Sequence, residues 1–220
     1  MAELFTGFID LFLNLDKHLG QVIGEYGTLT YLILFVVIFC ETGLVVTPFL
    51  PGDSLLFAAG TFAAIGALEL GTLLLLLYLA PIMGDSSNYW IGRFVGPKVF
   101  ARENVKLFKK EYLDKTHAFY KKHGGKTIVI ARFMPIFRTF APFVAGIGRM
   151  NYLRFLMFSI SGTLLWISCF VLAGYFFGNI PVVKEHFTIA IMAIIVISVI
   201  PGIVAFAKEK LAKRNAIARD

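Results

Sequence analysis

The sequence predicts an all-α, polytopic membrane protein with inverted repeats, two opposed re-entrant hairpins and amphipathic interfacial helices. Three observations lead to this prediction. Of the 220 residues, 58% are hydrophobic and 16% are charged, and a soluble domain of this size cannot bury so much apolar surface. Several apolar runs approach or reach the length that crosses a bilayer. Two further apolar segments are broken by proline at corresponding places in the two halves, which is typical of transporters built from repeats.

Residues 1–25 predict an N-terminal amphipathic helix that lies on the membrane surface. Polar residues recur there every three to four positions, and leucine and phenylalanine fill most of the rest. No basic stretch precedes the apolar residues and no small-residue cleavage site follows them, so we expect no cleaved signal peptide. The helix is expected to stay in the mature protein.

A membrane domain is predicted over residues 26–207, because apolar runs recur throughout this range. The apolar runs are residues 26–40, 70–92, 155–183 and 186–207. A helix needs about 20 apolar residues to cross the hydrocarbon core, and the last two runs satisfy this without a charged residue when His186 is neutral. The basic tail at 208–220 places the C-terminus in the cytoplasm under the positive-inside rule.

Two apolar segments, about residues 42–64 and about 127–148, predict the re-entrant hairpins. Proline removes a backbone donor and interrupts a helix. The interrupting residues are Pro48, Pro51, Gly52, Pro135 and Pro142. Both flanks of the second segment are basic and therefore cytoplasmic, so this segment enters and leaves on one side; a surface helix is the alternative. The first hairpin is expected to enter from the opposite side.

The net charge of +7 is concentrated in residues 93–126, which predict a cytoplasmic loop containing an interfacial helix. This loop alone carries ten basic and three acidic residues, and the rest of the chain is balanced. A basic segment beside membrane spans faces anionic lipid. We therefore expect a membrane partner and no nucleic acid.

Five charged residues at predicted membrane depth segregate by sign. Glu41, Asp53 and Asp85 lie in the first half, and Arg132 and Arg138 in the second. A charge at this depth costs at least about 2.5 kcal/mol, so it faces a partner or a water-filled cavity. The facing hairpins therefore predict buried ion pairs. These pairs serve either to hold the fold together or to bind a ligand.

The functional interpretation assigns the two arginines to a phosphate and two carboxylates to protons. Arg132 and Arg138 present planar forks that bind phosphate in bidentate fashion. Glu41 and Asp53 would pair with these arginines, and a change of partner would alter their protonation. This arrangement predicts coupling to a proton gradient.

The remaining polar residues give weaker signals. Asp85, Asn88 and Tyr89 either line the cavity or bond between helices. The four histidines have no metal-ligand spacing, and no cofactor motif or nucleophile and base pair is visible, so we expect no metal, no cofactor and no enzymatic activity. Cys40 and Cys169 are interpreted as packing residues.

Three motifs together resemble the bacterial DedA family. Residues 39–56 read FCETGLVVTPFLPGDSLL, residues 84–93 contain GDSSNY and GR, and residues 132–146 read RFMPIFRTFAPFVAG. The same domain is similar to that of the VTT, or SNARE-associated Golgi, proteins, which scramble phospholipids. The resemblance implies a multi-pass lipid transporter of the bacterial inner membrane. The family's essential charged positions fall on Glu41, Asp53, Arg132 and Arg138.

Some members of the family return undecaprenyl phosphate across the membrane, and others are tied to the proton-motive force. We therefore expect a flippase of an anionic lipid, with undecaprenyl phosphate as the first candidate and a phospholipid as the second. A phospholipid scramblase, a proton-coupled ion or drug antiporter and a non-transporting membrane organiser are the alternatives. A membrane-embedded phosphatase is a weaker one.

Overall fold

The computed structural model describes residues 15–44, 52–100 and 124–186, together with 189–190 and 192–193. Within these ranges the chain is all-α and has no strand, as the sequence predicts. The helices are α1 (Leu15–Tyr26), α2 (Leu29–Gly43), α3 (Gly52–Ala64), α4 (Leu70–Phe100), α5 (Lys126–Ala131), α6 (Pro135–Ile147), α7 (Tyr152–Phe177) and α8 (Pro181–Glu185).

Two of these helices are long and apolar enough to cross a membrane. They are α4, over Leu70–Val95, and α7, over Tyr152–Phe177, with mean hydropathies of 1.4 and 2.0. Both coincide with predicted spans, although α4 continues past residue 92 into the basic loop. Large apolar side chains such as Leu75 and Leu165 stand exposed on their outer faces, which suits a lipid environment.

Helix α3 crosses α7 at two glycines that bring the backbones into contact. A Cβ added at Gly60 would lie 2.1 Å from the carbonyl oxygen of Val171, and one at Gly174 would lie 1.9 Å from that of Phe57. The hydroxyl of Thr61 also donates across the crossing to the Gly174 carbonyl, at 3.3 Å. Small residues allow this close approach between helices in lipid, where apolar side chains gain nothing from leaving water.

Helix α6 crosses α4 in the same way. An added Cβ at Gly92 would lie 2.0 Å from the Phe143 carbonyl oxygen, and one at Gly146 would lie 2.0 Å from that of Tyr89. The two short helices carry matching sequences at their crossings, FAAG at 57–60 and FVAG at 143–146. The two crossings therefore use one pattern, with each short helix packed on the long helix of the other half.

The register of the two crossings also agrees. Tyr89 lies 19 residues after Leu70, the first residue of α4, and Val171 lies 19 residues after Tyr152, the first residue of α7. Each is followed three positions later by the crossing glycine. The long helices thus meet the short helices of the other half at equivalent heights.

The segment at 127–148 is interrupted next to Pro135, one of the two prolines predicted to break it, and not at Pro142. Helix α5 ends at Ala131, residues 132–134 form a turn, and Pro135 is the first residue of α6. Pro142 was expected to break the helix and does not, because α6 continues through it. Proline removes one donor and crowds the carbonyl four residues earlier. Contacts with α4 hold the helix on both sides of Pro142, since Asn88 donates to the Thr139 carbonyl before it and Gly146 packs on the backbone of Tyr89 after it.

Helix α1 packs on the bundle through one face. Leu19 is buried in the main core, and the backbone of Gly20 lies against the ring of Phe62 in α3. The hydroxyl of Thr30 donates to the Val22 carbonyl at 3.3 Å and ties α1 to α2. The amphipathic helix predicted over residues 1–25 is therefore helical in its described part.

Several predicted features lie outside the described residues. They are residues 1–14 of the N-terminal helix, Pro48, Pro51, the loop at 101–123, most of the span at 186–207 and the tail at 208–220. Gly52, which was predicted as a hairpin breaker, is the first residue of α3.

Candidate functional site

Five charged residues of both signs meet inside the described fold. They are Glu41 in α2, Asp53 in the first turn of α3, Asp85 in α4, Arg132 between α5 and α6, and Arg138 in α6. None of the five residues is more than 7% exposed. Three carboxylates and two guanidinium groups leave one negative charge in excess when all are ionised.

Arg138 joins two of the carboxylates and the preceding turn. Its Nη1 lies 3.0 Å from Oε1 of Glu41, and its Nη2 lies 2.7 Å from Oδ1 of Asp53. Its Nε donates to the backbone carbonyl of Arg132 at 3.0 Å. Every nitrogen of this guanidinium group therefore has an acceptor, which only the planar fork of arginine allows.

Trp166 of α7 closes the face of this arrangement. Its ring centroid lies 4.3 Å from Cζ of Arg138, a distance at which a cation is attracted to the ring. Its Nε1 donates to Oδ1 of Asp53 at 2.9 Å. Trp166 thus supports the cation and its counter-ion together, and it is fully buried.

Arg132 forms a second ion pair, with Asp85. The Nη2 of Arg132 binds Oδ2 of Asp85 and lies 3.4 Å from the hydroxyl of Ser159. Ser159 in turn donates to the same Asp85 oxygen at 2.6 Å. The Nε and Nη1 of Arg132 and the Oδ1 of Asp85 are buried and have no hydrogen-bond partner among the described residues.

This pairing differs from the one expected from the sequence. Glu41 and Asp53 were expected to pair with both arginines, but both bind Arg138. Asp85, for which cavity lining and helix bonding were both open, takes Arg132. The turn at 132–134 separates the two arginines, so each guanidinium group reaches the acid on its own side.

Gly52 has a role beyond starting a helix. A Cβ at this position would lie 1.9 Å from Oε2 of Glu41, so any side chain would displace the carboxylate. The glycine lets Glu41 approach the N-terminus of α3, where the helix dipole favours a negative charge. Sequence reasoning missed this contact, because the spacing of residues 41 and 52 across an intervening segment does not reveal it.

Asn88 and Tyr89 join helices. The Nδ2 of Asn88 donates to the carbonyls of Thr42 and Thr139, at 3.3 and 2.7 Å, and so ties α4 to α2 and α6. The Tyr89 hydroxyl donates to the Met150 carbonyl, and the ring stacks on Phe155 with centroids 4.7 Å apart. Cavity lining and hydrogen bonding between helices were both predicted as possible roles. Both side chains form hydrogen bonds that connect α4 to other parts of the fold.

Ser159 and Trp166 were not singled out from the sequence. They lie seven residues apart on α7, with Gly162 and Thr163 between them, and all four are buried on one face. Serine, glycine and threonine at helical spacing within an apolar span are the signal that would have located this face. Among the described residues, no group of three histidine, cysteine or acidic side chains is placed to hold a metal ion.

The VTT domain matches residues 50–176, a range that holds four of the five charged residues. Protein DedA of Escherichia coli (strain K12) is 51% identical over 216 residues, which cover 97% of this chain and 99% of that protein. The chain belongs to the DedA family. This confirms the resemblance found in the motifs.

Other DedA-family relatives are more distant. Uncharacterized membrane protein Rv0364 of Mycobacterium tuberculosis is 42% identical over 88% of this chain and 86% of its own length. Inner membrane protein YqjA of Escherichia coli (strain K12) is 35% identical over 71% of each chain. No solved structure matches this DedA-family chain. Rv0364 and YqjA are named as membrane proteins, and none of the three names states an enzymatic activity or a substrate. This chain is a membrane protein of the DedA family.

Proposed function

We propose that this DedA-family protein translocates an anionic lipid across the bacterial inner membrane, with undecaprenyl phosphate as the substrate and protons as the coupling ion. The observation that carries the proposal is the buried cluster in which carboxylates occupy both arginines. Arginine binds carboxylate and phosphate through the same planar fork. A phosphate can therefore replace a carboxylate on either arginine without a change of donor chemistry.

The charge of the cluster supports proton coupling. It carries one excess negative charge when all five groups are ionised, and a second buried negative charge would be costly. Entry of a singly charged phosphate together with one proton leaves the total unchanged. Protonation of one of the three carboxylates would also release an arginine N–H for the phosphate. The phosphate and the proton are thus expected to bind together.

The proposed architecture is an inverted repeat with two re-entrant hairpins. The matched crossings of α3 with α7 and of α6 with α4 support the repeat, because they share sequence and register. Asp53 and Arg138 meet where α3 and α6 begin, and substrate sites in such transporters form at broken helices. The basic tail supports a cytoplasmic C-terminus, and the name of the relative YqjA supports the inner membrane.

A lipid substrate suits a cluster that is buried among apolar helices. Only the head group needs to reach the arginines, while the chain stays beside the exposed apolar faces of α4 and α7. A polyprenyl phosphate presents bare phosphate oxygens to an arginine fork. A phospholipid diester offers fewer free oxygens and carries a larger head group.

Leaflet exchange in liposomes tests this proposal. We expect labelled undecaprenyl phosphate, but not a labelled zwitterionic phospholipid, to change leaflet in the presence of the protein. Arg132→Gln is expected to abolish this movement, and Arg154→Gln, which alters an exposed arginine at the start of α7, is the matched control. Equal movement of both lipids would indicate a scramblase. No movement of either lipid would reject lipid transport.

A proton-coupled cation antiporter is the second candidate, because the excess negative charge of the cluster favours a cation over an anion. Liposomes loaded with a pH-sensitive dye distinguish the two functions. Proton flux driven by a sodium or potassium gradient, without movement of any lipid, would support the antiporter.

A further inference from the structure

The two arginines of the cluster differ in how many of their guanidinium nitrogens lack an acceptor. We propose that Arg132 receives the phosphate oxygens, that Asp85 and Ser159 are the positioning residues that hold Arg132 when no ligand is bound, and that Arg138 stays in its ion pairs as a clamp. This inference rests on the proposed function, and it divides roles between residues that the sequence treats alike.

Arg138 already uses all three of its guanidinium nitrogens, through three of its five N–H groups. Its Nε, Nη1 and Nη2 each have an acceptor, and its face lies on Trp166. A phosphate bound here in bidentate fashion would have to compete at two nitrogens that already bind Glu41, Asp53 or the Arg132 carbonyl. These contacts join α2, α3 and the turn before α6, so their loss would loosen the fold itself.

Arg132 has donors in reserve. Only its Nη2 is engaged, by Asp85 and Ser159, while Nε and Nη1 are buried without an acceptor among the described residues. A buried donor without an acceptor carries the full cost of losing water. A ligand that supplies oxygens to Nε and Nη1 would recover that cost.

The geometry of the guanidinium group makes Asp85 a competitor of the phosphate. Both bidentate edges of arginine, Nε with Nη2 and Nη1 with Nη2, include Nη2. Asp85 and Ser159 occupy this nitrogen. Each edge uses a different hydrogen of Nη2, so a phosphate binds Arg132 in bidentate fashion only when Asp85 or Ser159 releases its hydrogen of this nitrogen. Asp85 thus acts as a competitor for the phosphate.

Gly162 leaves space on the open side of Arg132. A Cβ at this position would lie 3.3 Å from Nε of Arg132 and 3.2 Å from Cα of Val129. The methyl group of alanine would crowd Nε, and no ion-paired atom of the cluster is among the three atoms nearest to it. Gly162→Ala therefore tests access to Arg132 separately from the integrity of the cluster.

The chain supplies its own spectroscopic probe. It contains two tryptophans, and Trp90→Phe leaves only Trp166, whose ring lies 5.8 Å from Cζ of Arg132 and 4.3 Å from Cζ of Arg138. Tryptophan emission of the purified Trp90→Phe protein in detergent then reports on the cluster. The protein is titrated with farnesyl phosphate, with inorganic phosphate and with farnesol.

Farnesyl phosphate is expected to change the emission, and farnesol is not. In this background, Asp85→Asn should bind farnesyl phosphate about tenfold more tightly, because the competing charge is gone. Ser159→Ala, which keeps the ion pair, should tighten binding about threefold and serves if Asp85→Asn does not fold.

Gly162→Ala should weaken binding about tenfold. Ser161→Ala, on the exposed face of α7, is the control and should have no effect.

The outcomes separate this inference from the proposed function. Weaker binding by Asp85→Asn and Ser159→Ala, with unchanged binding by Gly162→Ala, would overturn the assignment of Arg132 and leave the lipid function standing. A response to inorganic phosphate equal to that to farnesyl phosphate, with the expected variant effects, would support Arg132 and reject a lipid substrate. No response to either phosphate, or an equal response to farnesol, would overturn both.

Discussion

Arg138 shows how much of the site depends on the shape of one side chain. Its guanidinium group reaches Glu41, Asp53 and the Arg132 carbonyl in one plane, over the ring of Trp166. The sequence identifies Arg138 and its acids, because a charge at membrane depth needs a partner. It does not identify which acid binds which arginine, because the charges alone do not give the distances between the side chains.

Replacing Arg138 by lysine tests this shape. Arg138→Lys keeps the positive charge but has a single nitrogen, which cannot reach three acceptors that lie in different directions. We expect the free energy of unfolding to fall by about 2 kcal/mol. Thermal unfolding in detergent measures this change, with Arg154→Lys as the exposed control. An unchanged melting temperature would show that the fork is not needed.

At the scale of helices, the glycine crossings set how closely the elements approach. Gly60, Gly92, Gly146 and Gly174 each place a backbone against a carbonyl of the partner helix. The sequence provides the glycines but not their partners, because the contacts at each crossing are more than 50 residues apart. The same packing explains why α6 continues through Pro142, which local sequence rules treat as a break.

Gly174→Ala is expected to destabilise the protein. Its new methyl group would lie 1.9 Å from the Phe57 carbonyl oxygen, so α3 and α7 would have to separate, at a cost of about 2 kcal/mol. Gly24→Ala in α1 is the matched control, since an added Cβ there has no atom within 4 Å. Unfolding in detergent should show a lower melting temperature for Gly174→Ala alone. Equal stability of the two variants would contradict the close crossing.

Glu69 precedes α4 and caps its first turn. The backbone amides of Gly71 and Thr72 donate to its carboxylate, and hydrogen bonds from Thr72 and Gly71 hold the pKa of Glu69 below its ordinary value. A lowered pKa in the folded state stabilises the protein above the ordinary pKa of the group, and this stabilisation is lost as the pH falls through the lowered pKa.

Glu69→Gln is therefore expected to remove part of the stability at neutral pH and little at acidic pH. Unfolding of the wild type and the variant is compared at about pH 7 and about pH 3.5, on either side of the ordinary carboxyl range. The difference between the two proteins should shrink at the lower pH. A constant difference would show that the carboxylate charge does not stabilise α4.

For the whole molecule, the excess negative charge of the buried cluster predicts that the phosphate and the proton are transported in the same direction. A phosphate and a proton that bind together also cross together, so transport should run toward the alkaline side. Liposomes with an imposed pH gradient and labelled undecaprenyl phosphate measure this direction. A protonophore should abolish the gradient-driven part of the movement. Equal rates in both directions under the gradient would contradict proton coupling.

The sequence alone determined the class of the molecule and the residues that matter most. Hydropathy, proline placement and the sign of five charges led to an all-α membrane protein and to a cluster of acids and arginines, because composition and period are local properties of the chain. The tertiary structure decided that Arg138 binds both Glu41 and Asp53, that Arg132 binds Asp85, and that Ser159, Gly162 and Trp166 of α7 complete the site. These contacts join residues far apart in sequence, and their geometry exists only after helices from both halves have packed.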